Sequence, residues 1–160
     1  MQYYSHKTVW ITGASSGIGK ETALQLASIS GIRLILSARS VEKLQDVQKS
    51  CIEKGAQCKV LPLNLEESDA LTDKAKQALS IFNGIDILVN NGGISQRSSV
   101  IETPIENDRK IMEIDYFSSV ILTKAVLPHM VTQKSGHIVV VSSISGCFGF
   151  PLRSAYCAAK

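Results

Sequence analysis

The chain has 160 residues, of which 44% are hydrophobic and 19% charged, with eleven glycines and four prolines. That balance suits one globular domain burying about 70% of its unfolded-chain surface, and it excludes disorder, which needs low hydrophobicity with high net charge. The net charge of +3 comes from 17 basic and 14 acidic residues scattered along the chain, so no basic stripe points to nucleic acid. No apolar run approaches the roughly 18 residues of a membrane span, and the N-terminal residues contain no apolar core of a secretory signal.

The first β-rich run is residues 7–12 (KTVWIT), followed by a glycine-rich turn and a helix from about Gly17 to Ile29, closed by Gly31. Residues 33–38 (RLILSA) read as the second strand. Ser40 can cap the next helix, which runs to about Glu53 and stops before Gly55. The third strand is residues 58–63, with Pro62 an objection to a fully central position. Glu67 to Phe82 is helical, ended by Asn83-Gly84, and residues 85–90 (IDILVN) form a fourth strand, apolar enough to be covered on both faces.

Thr103-Pro104-Ile105-Glu106 carries a helix-start signature: threonine as cap, proline at the first helical position, glutamate completing a capping box. That helix is expected to run to Leu127, before Pro128, with an apolar face of Ile111, Ile114, Phe117 or Ser118, Ile121 and Leu122. Residues 137–143 (HIVVVSS) are the fifth strand, and after Gly146, Gly149 and Pro151 a short segment ends at Lys160. Strands alternating with helices predict βαβ units and a parallel sheet, in one domain or part of one over residues 1–160.

The cysteines, Cys51, Cys58, Cys147 and Cys157, form no CxxC pair and stand near no histidine at metal-ligand spacing. Free thiols and a reducing, cytoplasmic compartment are the expectation. His6, His129 and His137 are far apart in sequence and read as structural or surface residues.

Four motifs carry chemistry. Thr12-Gly13-Ala14-Ser15-Ser16-Gly17-Ile18-Gly19 lies between a strand and a helix. Glycines there let backbone amides approach a pyrophosphate, and the helix N-terminus adds partial positive charge. Alone, such a turn could be simple turn chemistry. At the end of the second strand stands Ser37-Ala38-Arg39, with no acid until Glu42. An acid in that region holds a ribose 2′-hydroxyl, while an arginine accommodates a 2′-phosphate, so Arg39 favours NADP over NAD. Asn90-Asn91-Gly92-Gly93 follows the fourth strand, at the edge where ligands of open parallel sheets bind. Last, Ser142-Ser143 precede Tyr156-Cys157-Ala158-Ala159-Lys160, in which tyrosine and lysine share one helix face. A nearby ammonium favours phenolate over phenol, and a serine hydroxyl at a strand end can hydrogen-bond a substrate carbonyl. Tyr-x-x-x-Lys alone arises often by chance.

In combination these motifs resemble the short-chain dehydrogenase/reductase family, over the whole chain and in the family's order and spacing. Ile114-Asp115-Tyr116-Phe117, Leu122-Thr123-Lys124-Ala125, Leu127-Pro128 and Gly136-His137-Ile138-Val139 look most like its member 7 and 7B subgroup. The resemblance implies a doubly wound α/β fold, a parallel sheet in the order 3-2-1-4-5 with helices on both faces and the C-terminal strands missing. It implies a pyrophosphate turn of Gly13, Ser15, Ser16, Gly17, Ile18 and Gly19, with Arg39 at the 2′-phosphate of NADP. Asn64 and Leu65 would sit by the adenine, and Asn91 and Gly92 would border the nicotinamide half. Ser143, thirteen residues before Tyr156, would position a substrate carbonyl. Tyr156 would be the acid for reduction and the base for oxidation, and Lys160 would hold the nicotinamide ribose. The substrate would be a small-molecule carbonyl or alcohol, with lipids, steroids and retinoids as family-level candidates, and a full-length form would be a homo-oligomer.

The chain departs from the pattern in places. Asn64 stands where an aspartate is common, and Gly93 replaces the alanine of Asn-Asn-Ala-Gly or stands one place from it. Asp115 occupies a position where the family usually has an asparagine supporting a proton relay behind the lysine; an ionised aspartate could pair with Lys160 or disturb the relay, and reduced turnover is expected. The chain also stops on the catalytic lysine, where family members continue. It is therefore expected to be incomplete and inactive alone, with the fifth strand an exposed apolar edge. The subgroup often carries an upstream membrane anchor, so a longer form could associate with an endoplasmic-reticulum or peroxisomal membrane. The alternative reading is a non-catalytic dinucleotide-binding or scaffolding module, which would need no acid–base set of Ser143, Tyr156 and Lys160.

Overall fold

The computed structural model describes residues 2–160, without the side chain of Gln2. Five short strands, β1 (Thr8–Thr12), β2 (Arg33–Ser37), β3 (Gln57–Val60), β4 (Ile87–Asn90) and β5 (His137–Val140), form one sheet. Every pairing is parallel and the order is β3-β2-β1-β4-β5, as expected for a doubly wound fold. The helices are α1 (Gly17–Leu26), α2 (Val41–Glu53), α3 (Ser68–Ile81), α4 (Ile105–Ile111), α5 (Ser118–Thr132) and α6 (Ser154–Ala159), with a π-helical turn, Met112–Phe117, joining α4 to α5.

Side chains alternate across the central strands, and each face buries its own core. Val9, Ile11, Leu34 and Leu36 face one side, against Ala23 of α1 and Leu44 and Val47 of α2. Trp10, Ile35 and Leu88 face the other, against Leu71 and Ala75 of α3 and Leu122 and Val126 of α5. Trp10 is fully buried, and its indole N–H donates to Ser37 Oγ at 2.8 Å, so the largest core side chain leaves no polar atom unpaired. The switch point between β1 and β4 opens a crevice at the carboxyl ends of the strands, where such sheets bind ligands.

Several boundaries differ from expectation. α1 ends at Leu26 with Ala27 as its C-cap, so Gly31, with φ +71°, belongs to the following turn rather than to the helix end. β3 stops at Val60, yet Leu61 N and Leu63 N still donate to Leu36 O and Ala38 O; Pro62 has no N–H to give, and β3 is an edge strand. The capping box does not form. Thr103 Oγ1 donates to Ser99 O at 2.7 Å within a preceding turn, Pro104 takes an extended conformation as N-cap, and α4 begins at Ile105.

Pro128 does not end its helix, and α5 continues to Thr132. The missing N–H removes one hydrogen bond, while Val126 and Met130, both buried, anchor the turns on either side. The π turn sets the buried face as Ile111, Ile114, Ser118, Leu122, Val126 and Met130, so Ser118 is the inward residue and Phe117 is 45% exposed. Among the described residues β5 is an outer strand of the sheet, with Val139 and Val140 exposed. Among the described residues no helix is long and apolar enough to cross a membrane.

Candidate active site

The turn after β1 is held from behind. Thr12 Oγ1 accepts from both Asn91 N and Gly92 N, each at 3.0 Å, and Asn91 Nδ2 donates to Thr12 O at 2.9 Å and Gly13 O at 3.3 Å. Asn91 thus staples β4 to the turn. Gly13 has φ +65°, and a Cβ there would lie 2.7 Å from Gly92 Cα; a Cβ on Gly19 would lie 2.4 Å from Asn91 Nδ2. Neither position admits a side chain without moving the staple. In front, Ser16 is the N-cap of α1 with no side-chain cap bond, and Gly17 has open space around the position of its missing Cβ. Amides at that helix start are therefore left for an anionic ligand.

A cleft of about 640 Å³ runs from this turn to the end of β2. Its walls bring together Gly13, Ser15, Ser16, Arg39, Asn64 and Leu65 of the residues expected to hold the adenosine half and the pyrophosphate, but not Gly17, Ile18 or Gly19 of the same turn. Lys43, which the sequence reading missed, lines the same cleft beside Arg39. Ser40 Oγ accepts from Lys43 N at 3.4 Å, which fixes the first turn of α2 and carries Lys43 to the cleft. The signal was present as Arg39-Ser40-x-x-Lys43, a strand-end cation followed by one in the first turn of the next helix. Asn64 turns its side chain to its own loop: Oδ1 accepts from Glu66 N and Nδ2 donates to Glu67 Oε1.

A second cleft of about 330 Å³ shares Gly13, Ser16, Gly92 and Gly93 with the first and extends past Ile18 and Asn91 to Asp115, Tyr156 and Lys160. The π turn presents Asp115, whose side chain is completely buried. Asp115 Oδ1 accepts from Ile94 N at 2.8 Å, and Oδ2 pairs with Lys160 Nζ at 3.2 Å. The anticipated aspartate–lysine pair therefore forms. A Cβ on Gly93 would lie 3.0 Å from Asp115 Oδ2 and 3.1 Å from Lys160 Nζ, so glycine leaves room for that pair. α6 aligns Tyr156 and Lys160 on one face, with Nζ 5.8 Å from the tyrosine ring centroid. Ser142 lines this cleft and donates from Oγ to Lys160 O at 2.8 Å. Ser143, expected to hold a substrate carbonyl, follows Ser142 in sequence without lining either cleft; its Oγ accepts from Ser145 N at 3.1 Å, which leaves its O–H free to donate. No metal-holding cluster of His, Cys, Asp or Glu occurs among the described residues.

The two clefts make one trough from a pair of cations, past exposed helix-start amides, to a tyrosine–lysine pair. A phosphate-rich dinucleotide with a reactive far end matches it in chemistry at each station: cations and amides for phosphates, a tyrosine and lysine at the reacting end. Known proteins agree. Residues 7–160 match the family model described as short chain dehydrogenase. The chain is 48% identical over 156 residues to the human dehydrogenase/reductase SDR family member 7, covering 95% of this chain and 46% of that protein. It is 44% identical over 158 residues to a Drosophila melanogaster SDR family protein 7-like, covering 96% and 48%, and 40% identical over 164 residues to the rat member 7B, covering 99% and 50%. The chain thus spans about half the length of these curated relatives. Among solved structures, a metagenomic short-chain oxidoreductase crystallised in complex with NADP superimposes with a TM-score of 0.93 at 30% identity, over 98% of this chain and 71% of that one. A five-stranded parallel sheet, a stapled glycine turn and a tyrosine–lysine helix, matched by these relatives across nearly the whole chain, place it in the short-chain dehydrogenase/reductase family.

Proposed function

We propose that the chain is the cofactor-binding part of an NADP-dependent reductase or dehydrogenase acting on a carbonyl or secondary alcohol. One observation carries the reading: a continuous trough joins Arg39 and Lys43 at one end to Tyr156 and Lys160 at the other through the open start of α1. When bound, the nicotinamide cofactor supplies or accepts the hydride. The chain's own residues do the rest. Amides after Ser16 receive the pyrophosphate, while Arg39 and Lys43 receive a 2′-phosphate that NAD lacks. Lys160 holds the ribose next to the nicotinamide. Tyr156 donates its hydroxyl proton to the carbonyl oxygen in reduction and recovers one from the alcohol in oxidation, and the free O–H of Ser143 holds that oxygen in place.

The test is cofactor binding followed by fluorescence, NADPH against NADH. NADPH is expected to bind at least about tenfold more tightly, and Arg39→Gln or Lys43→Gln to remove most of that preference, as loss of one charge-assisted phosphate contact does. Equal affinity for the two cofactors would refute the NADP assignment. Tight NADPH binding without reduction of any carbonyl compound in the full-length protein would leave the non-catalytic binding module as the function.

A further inference from the structure

We propose that Arg153 is a specificity-determining residue, and that the carbonyl substrate carries a carboxylate which its guanidinium receives; this rests on the oxidoreductase reading above. Arg153 is the residue before α6, three before Tyr156, and its carbonyl accepts from Cys157 N at 2.8 Å. Its Cζ lies 5.4 Å from the Tyr156 ring centroid, and Nη1 donates to Ser95 Oγ. Ser95 and Tyr156 both line the second cleft, and the guanidinium contacts both from just outside that lining.

The local backbone is built to put it there. Leu152 has φ +64°, a conformation that an L-residue adopts at a cost, and Leu152 O accepts from Ser98 N at 3.2 Å. That bond ties the loop bearing Ser95 to the segment bearing Arg153.

Charge supplies the second half of the argument. Two cations flank the Tyr156 ring. Lys160 is paired with the buried Asp115, whereas Arg153 takes part in none of the ion pairs among the described residues. Asp115 and Lys160 cancel, and the rim keeps one uncompensated positive charge beside the reacting tyrosine. With Nη1 committed to Ser95, the rest of the fork is open to a planar bidentate acceptor. A carboxylate fits that geometry, and a purely apolar substrate would leave the guanidinium idle.

The probes are 4-acetylbenzoate and 4-acetylbenzamide, ketones of one shape that differ in charge, titrated by calorimetry into the full chain saturated with NADP⁺. The oxidised cofactor cannot reduce a ketone, so affinity is read without turnover. The benzoate is expected to bind about tenfold more tightly than the amide, the discrimination of one charge-assisted pair. Arg153→Gln should bring the ratio to about one and Arg153→Lys should retain part of it, because lysine keeps the charge without the fork. Arg97→Gln, at an exposed loop cation, should leave the ratio intact. Equal binding of the two ketones by the parent protein, no binding of either, or an unchanged ratio in Arg153→Gln would overturn the proposal. Failure of NADP⁺ itself to bind, seen in the first titration, would overturn the cofactor reading and this proposal with it.

Discussion

Replacing Asp115 separates two contributions that the structure joins in one carboxylate. Oδ1 satisfies the Ile94 N–H at 2.8 Å, and Oδ2 faces the Lys160 ammonium at 3.2 Å. Asparagine can keep the first contact and loses the second, whereas alanine loses both. Removing one partner of a buried ion pair costs about 3–5 kcal/mol when the other cannot reach water. Lys160 retains 11% side-chain exposure, and Val141 O is a further acceptor at 3.4 Å, so part of its charge is solvated elsewhere. We therefore expect about 1.5 kcal/mol for Asp115→Asn and about 3 kcal/mol for Asp115→Ala, the added loss being an orphaned buried N–H. In urea, with a slope of about 2 kcal/mol per molar for a chain of this size, the midpoints should fall by about 0.7 M and 1.5 M. Circular dichroism during urea titration measures both. If Asp115→Asn unfolds at the parent midpoint, the ion pair contributes no stability and this account of the site is wrong. The same variant should turn over faster in a full-length enzyme, since it frees Lys160 for the ribose; a rate no higher than the parent's would refute that part.

Two further predictions test the packing around the site and in the core. Gly93→Ala places a methyl group about 3 Å from both members of the ion pair, so its cost should shrink by about 1 kcal/mol in the Asp115→Asn background, and strict additivity in a double-mutant cycle would show that the glycine does not serve the pair. Cys58, buried beside Cys51, is held protonated by contact with that thiol and by burial, which push its ionisation well above the ordinary range. Its folded-state pKa is raised, so the stabilisation is complete below about pH 8.5 and declines above it by about 1.4 kcal/mol per pH unit as the unfolded chain ionises first. Urea midpoints of the parent and of the Cys51→Val/Cys58→Val double variant, which removes the whole thiol pair, check this from pH 8 to 10, and parallel pH dependences would refute it.

The five parallel strands and the helices between them were legible because apolar runs alternate with helical segments, while the order 3-2-1-4-5 came with the family resemblance. What the sequence misplaced lies where local signals compete with tertiary ones. Thr103 has the right neighbours for a capping box, but Ser99 offers its hydroxyl a nearer acceptor. Pro128 reads as a stop, yet buried neighbours on each side carry the helix through it. The π turn at Met112–Phe117 leaves no composition mark, and it decides that Asp115 and Ser118, rather than Phe117, point inward. Arg39 was readable from its place at a strand end. Lys43 and Arg153 were not singled out, because surface cations are common and only the folded chain shows that one lines a cleft and the other lies over the Tyr156 ring.

The polar groups of the site divide by the side they face. Behind the glycine turn, Thr12 and Asn91 satisfy one another and the backbone completely enough that neither has a donor to spare for a ligand. In front, Ser16 caps α1 with no side-chain bond, Arg39 and Lys43 line an open cleft, and Arg153 takes part in none of the ion pairs among the described residues. A stable fold gains nothing from leaving cations and helix-start amides unpaired on one wall while committing the side-chain donors of Thr12 and Asn91 on the other. The asymmetry follows if the front wall is completed by phosphates and by substrate. Asn91, which lines the second cleft, has its side-chain N–H groups committed to Thr12 O and Gly13 O, and so fixes the shape of the turn that the front wall is built on.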